Sequence, residues 1–342
     1  MTIRNLIRAM ALLLPHLAAA QELDPATIAA AKQEGSVVWY TTQIVDQFAR
    51  PAAAAFEKKY GIHVDYVRAD SAAVALRILN EGKAGQVHAD VFDGTSGVAA
   101  LKTRGLVLKY LPPAAEKLAA QYRDPDQFWA ATNLYVLTPG YNTQALPPAE
   151  APKTFDDLLD PKLKDRIAWN ISPSSSAAPG FIGLILHTMG EEPGRAYLKK
   201  LAKQNILGVQ GSARQVLDQV IAGEADLALN IFNTHAVISA GKGAPVAWIP
   251  MQPIMVTLSA LSVTAAAPHP NAARLLMNFL LSEDGQKLYR TANYIPVLDS
   301  VPPEDPSVRP DGVKVKAYFV GPEQIDALMP HWVAVFNEIF KG

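Results

Sequence analysis

The chain contains no cysteine in 342 residues. That absence excludes disulfides, thiolate metal centres and a lipidated N-terminal Cys. An excess of either charge is missing too: 31 basic residues face 32 acidic ones, far from the basic footprint that nucleic-acid binding demands. After the N-terminus no unbroken apolar run reaches the length of a membrane helix, so membrane insertion is not expected. The seven histidines, at 16, 63, 88, 187, 235, 269 and 331, show no His-x-x-x-His spacing, and no metal centre or cofactor can be argued from them. Signatures of hydrolysis are absent as well: there is no Gly-x-Ser-x-Gly elbow, no His-Glu-x-x-His and no Ser-x-x-Lys set of the penicillin-binding kind. The serines at 174–176 have no base evident in the sequence. Binding without chemistry is the expectation, and an exported hydrolase the remote alternative.

What is present begins with an export signal. Arg4 and Arg8 precede a short apolar stretch at 9–14, and Ala18-Ala19-Ala20 precede polar Gln21-Glu22. This order predicts cleavage before Gln21 and release into the periplasm. Removing Arg4 and Arg8 leaves 29 basic against 32 acidic residues in the mature 322, a length that predicts two domains.

The mature chain reads as two successive α/β patterns. In the first, strands at 36–42, 62–67 and 89–93 alternate with helices at 45–60, 72–81 and 98–104, following an opening helix at 25–34. Three such units argue for a largely parallel sheet, with ligands at the carboxyl ends of its strands. Residues 110–127 read as an irregular surface excursion and 129–141 as a crossing strand. The second pattern has helices at 155–159, 180–189, 194–204 and 213–222, with strands at 167–171 and 226–231. A return crossing at 254–264, a helix at 271–281 and a closing helix at 322–340 complete the reading. Trp129, Trp169 and Trp248 are assigned to packing, and Trp39 and Tyr40 to the strand and core, with an aromatic ligand platform as the alternative.

Three segments carry a family resemblance. Residues 152–167 (PKTFDDLLDPKLKDRI), residues 223–229 (GEADLAL), and FLLSEDGQ at 279–286 followed by Tyr294-Ile295-Pro296-Val297 resemble periplasmic solute-binding proteins of the ferric-iron-binding type. The resemblance spans nearly the whole mature chain. It implies an α/β, two-lobed type 2 periplasmic binding protein fold: lobe 1 at 21–138 plus 255–305, lobe 2 at 139–254 plus 306–342, joined by two hinge strands. It also implies closure around one ligand and delivery by a monomer to an inner-membrane ABC transporter permease. One departure concerns the ligand. Where ferric members carry an adjacent Tyr-Tyr pair, this chain has Phe232-Asn233-Thr234-His235, and the loop after the first strand reads Thr41-Thr42-Gln43-Ile44. The ferric site looks dismantled, leaving iron or an iron chelate as the alternative.

Hydroxyl groups dominate the loops at the strand ends instead. Thr41, Thr42 and Gln43, then Ser71 after Asp70, then Thr95 and Ser96 between two glycines, and finally Ser174, Ser175 and Ser176 all precede or begin helices. Unpaired backbone N–H groups and the helix dipole favour an anion there. Each could equally be an ordinary cap. As a set at one end of two sheets they predict a small oxyanion ligand: carboxylate, phosphonate or organophosphate. Arg214, behind the Ser212 cap, is a candidate bidentate partner. His235 is a candidate donor from a loop, and Asn233 and Thr234 occupy the former tyrosine positions. The small residues Ala177, Ala178 and Gly180 are expected to let the ligand approach the backbone.

Overall fold

The computed structural model describes residues 23–310 and 314–341. The predicted export signal therefore lies outside the described residues. The first half contains α1 (Pro25–Glu34), β1 (Ser36–Thr41), α2 (Arg50–Tyr60), β2 (His63–Arg68), α3 (Ser71–Lys83), β3 (Val91–Gly94), α4 (Val98–Thr103) and the long β4 (Ala130–Asn142). The second contains β5 (Ile167–Asn170), α5 (Ala178–Met189), α6 (Glu191–Leu201), β6 (Leu207–Val209), α7 (Ala213–Ala222), β7 (Leu227–Phe232), α8 (Asn233–Gly241) and β8 (Val246–Trp248). β9 (Ile254–Val263), α9 (Pro270–Leu281), α10 (Glu283–Thr291), β10 (Ile295–Pro296), β11 (Ala317–Val320) and α11 (Pro322–Phe340) follow.

Local chemistry accounts for many of these boundaries. Asp70 accepts from Ala73 N at 2.9 Å and so caps α3. Ser212 and Gln215 form a reciprocal capping box on α7. Gly35, Gly61 and Gly223 end α1, α2 and α7 in the left-handed conformation that glycine adopts without strain.

The main sheet runs β2-β1-β3-β9-β4-β7-β5-β6. β2, β1 and β3 are mutually parallel, as are β7, β5 and β6. Between these two groups lie β9 and β4, antiparallel to each other and buried along their whole length. Two near-continuous apolar runs satisfy that burial, as strands covered on both faces require. Apolar packing divides along the same line. One core draws on residues 23–136 and 254–308, and a second on residues from Leu137 to Phe336 including the buried face of α11. β4 changes core between Val136 and Leu137.

Six elements went unread in the sequence: β6, β8, β10, β11, α8 and α10. Four of them are strands of two to four residues, too short for a periodic signal. α8 corrects a specific expectation, since Asn233, Thr234 and His235 form its first turn rather than a loop. Its start has no capping side chain, which is why sequence signals missed it.

Candidate functional site

Between the two parallel strand groups lies a cavity of about 340 Å³. Its wall from the first half consists of the loop after β1, the β2–α3 junction and the β3–α4 turn. From the second it takes the β5–α5 loop, the start of α7 and the β7–α8 junction. All are strand carboxyl ends or helix starts, as an open α/β sheet requires of a ligand site.

A buried carboxylate sets the first wall. Asp93 accepts from Trp39 Nε1 at 2.7 Å, from Thr41 Oγ1 at 2.5 Å, and from Thr42 N at 3.1 Å and Thr42 Oγ1 at 2.8 Å. Full burial pushes its pKa above the usual carboxylate value despite these donors. The effect is to pin the loop and leave Thr42 on the cavity. Ser71 Oγ accepts from Thr95 N at 3.0 Å, which joins the α3 start to the β3–α4 turn. Arg68, at the end of β2, also lines the cavity, and its guanidinium makes no hydrogen bond or ion pair with another described residue.

The opposite wall is a serine-rich loop. Asn170 accepts from Ser172 N at 2.8 Å and donates to Gly211 O at 2.9 Å, tying this loop to the start of α7. Ser174 and Ser176 hydroxyls lie 3.3 Å apart, both at the cavity. Beneath them Asn230 Nδ2 donates to Ser175 O at 3.0 Å and Ala177 O at 3.2 Å. Arg214 faces the cavity while donating to Ser239 Oγ at 2.8 Å and pairing with Asp218.

Thr42, Ser71, Thr95, Ser96, Ser174, Ser176, Arg214 and His235 thus share one cavity. Five expected residues are not on its wall. Thr41 is turned onto Asp93, and Gln43 is buried with Nε2 donating to Asn133 Oδ1 at 3.2 Å. Ser175 contributes its carbonyl to Asn230, and Asn233 donates to Val308 O at 2.7 Å. Thr234 is buried in α8. Strand pleat turns Thr41 inward, helical twist buries Asn233 and Thr234, and Gln43 and Ser175 are held inward by hydrogen bonds from their loops to Asn133 and Asn230. Gly180 has a different purpose from the one expected: Ser175 O fills the space its side chain would take, leaving no room there for a ligand.

The floor was not foreseen. Tyr135 packs on Phe232 with ring centroids 4.5 Å apart and meets Tyr294 edge-on at 6.0 Å. Phe232 meets His235 edge-on at 5.2 Å, and all four rings line the cavity. These residues come from β4, β7, α8 and the segment after α10, so no local motif unites them. Burial, reinforced by the Arg214 charge, lowers the His235 pKa to about 4 and keeps the imidazole neutral near pH 7. Its Nδ1 has no hydrogen-bond partner among the described residues. Burial also drives the Tyr135 and Tyr294 phenols upward. Among the described residues no group of three or more His, Asp or Glu could hold a metal ion.

A family model described as bacterial extracellular solute-binding protein matches residues 51–315. The chain belongs to that family. This solute-binding protein is 26% identical over 275 residues to the Fe(3+)-binding periplasmic protein of Serratia marcescens, covering 77% of this chain and 79% of that one. It is 26% identical over 327 residues to a Salmonella typhimurium protein provisionally named as 2-aminoethylphosphonate-binding and periplasmic, covering 87% and 84%. Among solved structures it is similar to the periplasmic binding protein AfuA from Actinobacillus pleuropneumoniae with exogenous fructose-6-phosphate bound. The TM-score is 0.76 at 22% identity, over 90% of this chain and 99% of that one. The fold is that of type 2 periplasmic binding proteins. The protein is the solute-binding component of an ABC importer. No helix of the described residues is long and apolar enough to cross a membrane.

Proposed function

We propose that this protein captures a small organic anion, a carboxylate, phosphonate or organophosphate, in the cavity between its two strand groups and passes it to an inner-membrane permease. The two cores act as lobes, hinged on β4 and β9, that close on the ligand. Binding, not turnover, is the task.

One observation carries this reading. Three helices of nine or more residues, α3, α7 and α8, have first-turn residues on the cavity wall, and α8 starts there without a capping side chain. Their unpaired N–H groups and dipoles favour negative charge. Arg68 adds a cation whose guanidinium has no ion-pair partner among the described residues. Ser71, Thr95, Ser174 and Ser176 supply hydroxyl donors from both walls, as closure around a ligand requires. The relatives' names span iron, phosphonate and sugar phosphate, and the latter two are anions.

The test is mass spectrometry of the mature protein under native conditions, followed by thermal shift with phosphonates, organophosphates, carboxylates and ferric citrate. An anion at a hundred times its dissociation constant should stabilise by about 2.7 kcal/mol. Arg68→Ala should weaken that anion about tenfold or more while leaving the unliganded melting temperature unchanged. A shift with ferric salts alone refutes the anion reading.

A further inference from the structure

The rings under the cavity form a continuous row whose ends carry opposite walls' cations. Arg68 acts electrostatically on the Tyr294 phenol. Tyr294 contacts Tyr135, Tyr135 packs on Phe232, and Phe232 meets His235. Arg214 acts on His235 at the far end. Three aromatic faces and a neutral imidazole in one small cavity are more than an oxyanion alone can use.

Accepting the anion reading above, we propose that the ligand is an aryl oxyanion, an aromatic carboxylate or phosphonate that carries a hydrogen-bonding substituent on its ring. The oxyanion meets Arg68 and the loop hydroxyls. The flat body lies against Tyr135 and Phe232, where offset or edge-on ring contacts add to the burial of apolar area.

Two alternatives fit this floor poorly. A sugar phosphate would lay hydroxyl groups against Phe232, which offers them no partner. An aminoalkyl phosphonate needs a carboxylate for its ammonium. Asp70, the one carboxylate among the described wall residues, caps α3 through Oδ1 and keeps Oδ2 for such an ammonium, so what disfavours the aminoalkyl arm is the row of rings it would leave uncovered. The substituent is called for by His235 on the cavity wall: its Nδ1 is sealed from the cavity, while Nε2 keeps some exposure and makes no hydrogen bond with another described residue. A polar atom left without a partner as the cavity closes is costly, so a ligand group that reaches Nε2 gains affinity.

Isothermal titration of the mature protein with benzoate, cyclohexanecarboxylate, 4-hydroxybenzoate, phenylphosphonate, 2-aminoethylphosphonate and fructose 6-phosphate tests the proposal. Benzoate and cyclohexanecarboxylate share charge and similar apolar area and differ in aromaticity. We expect benzoate to bind about fivefold or more tighter, and Phe232→Ala to remove most of that margin. We expect 4-hydroxybenzoate to exceed benzoate about tenfold, a preference that His235→Phe abolishes while benzoate itself changes less than about threefold. The wild-type panel decides the matter even if either variant folds badly. If the alkyl acid, the aminoalkyl phosphonate or the sugar phosphate binds as tightly as the aryl acids, the aryl proposal is overturned and the anion reading survives. If no oxyanion of any class binds, both fall.

Discussion

Gly180→Ala should loosen the serine-rich wall, although alanine is ordinarily the better helix residue. A methyl group at position 180 would lie 1.8 Å from Ser175 O, 2.5 Å from Ser175 C and 2.7 Å from its Cα. Ordinary contact begins near 3.4 Å, so the shortfall is about 1.6 Å, and backbone rather than a pliable side chain must move. Moving that turn strains or breaks the Asn230 hydrogen bonds to Ser175 O and Ala177 O, at a cost of about 1–2 kcal/mol. Overpacking adds about 1–3 kcal/mol, and the improved helix propensity returns at most about 1 kcal/mol. The expected net loss is about 1–5 kcal/mol in urea denaturation. Ser174 and Ser176 move with the turn, so affinity for the native ligand should fall about tenfold or more. Gly241→Ala is the control: nothing lies within 4 Å of its added carbon, and it should cost little. Wild-type stability and affinity in Gly180→Ala would refute the claim that this glycine exists to admit Ser175.

His235 should make the fold acid-sensitive: its folded pKa of about 4 lies below the ordinary histidine value of 6.5, so its contribution is complete above pH 6.5 and lost as pH falls toward 4. At pH 4.5 the loss should be roughly 2–3 kcal/mol, seen as a smaller drop in urea midpoint between pH 7 and 4.5 for His235→Phe than for wild type; equal drops would contradict the assigned burial. Gln286 is fully buried, donating to Thr132 O and Leu280 O and accepting from Val297 N and Leu298 N. Gln286→Leu keeps the volume but strands four backbone groups and should cost about 2–4 kcal/mol by denaturation, whereas a cost near zero would mean that water replaces those bonds. Glu323 accepts from Trp129 Nε1 at 2.6 Å, linking α11 to the start of β4, and Glu323→Gln should lower stability by no more than about 1 kcal/mol because an amide oxygen can still accept. A larger loss would show that the charge itself matters.

The order of strands and helices was legible because it is written locally. Apolar runs such as 130–142 and 254–263 announce strands buried on both faces, and caps such as Asp70 and Ser212 mark helix starts within a residue. The hydroxyl-rich loops were legible for the same reason, since helix starts and strand ends are neighbours in sequence. Pleat and twist were not. Thr41 and Thr42 look alike as letters, but Asp93, more than fifty residues away, claims the first and holds the second on the cavity. Arg68 went unnoticed because an Arg closing a strand is ordinary; what sets it apart is a guanidinium with no ion-pair partner among the described residues, a property of space. So the sequence by itself determined a two-part α/β chain with hydroxyls at its helix starts and without the tyrosine pair. The tertiary fold alone decided that Tyr135, Phe232, Tyr294 and His235 share one floor. Such convergence depends on crossing strands and long-range packing, which no local pattern encodes.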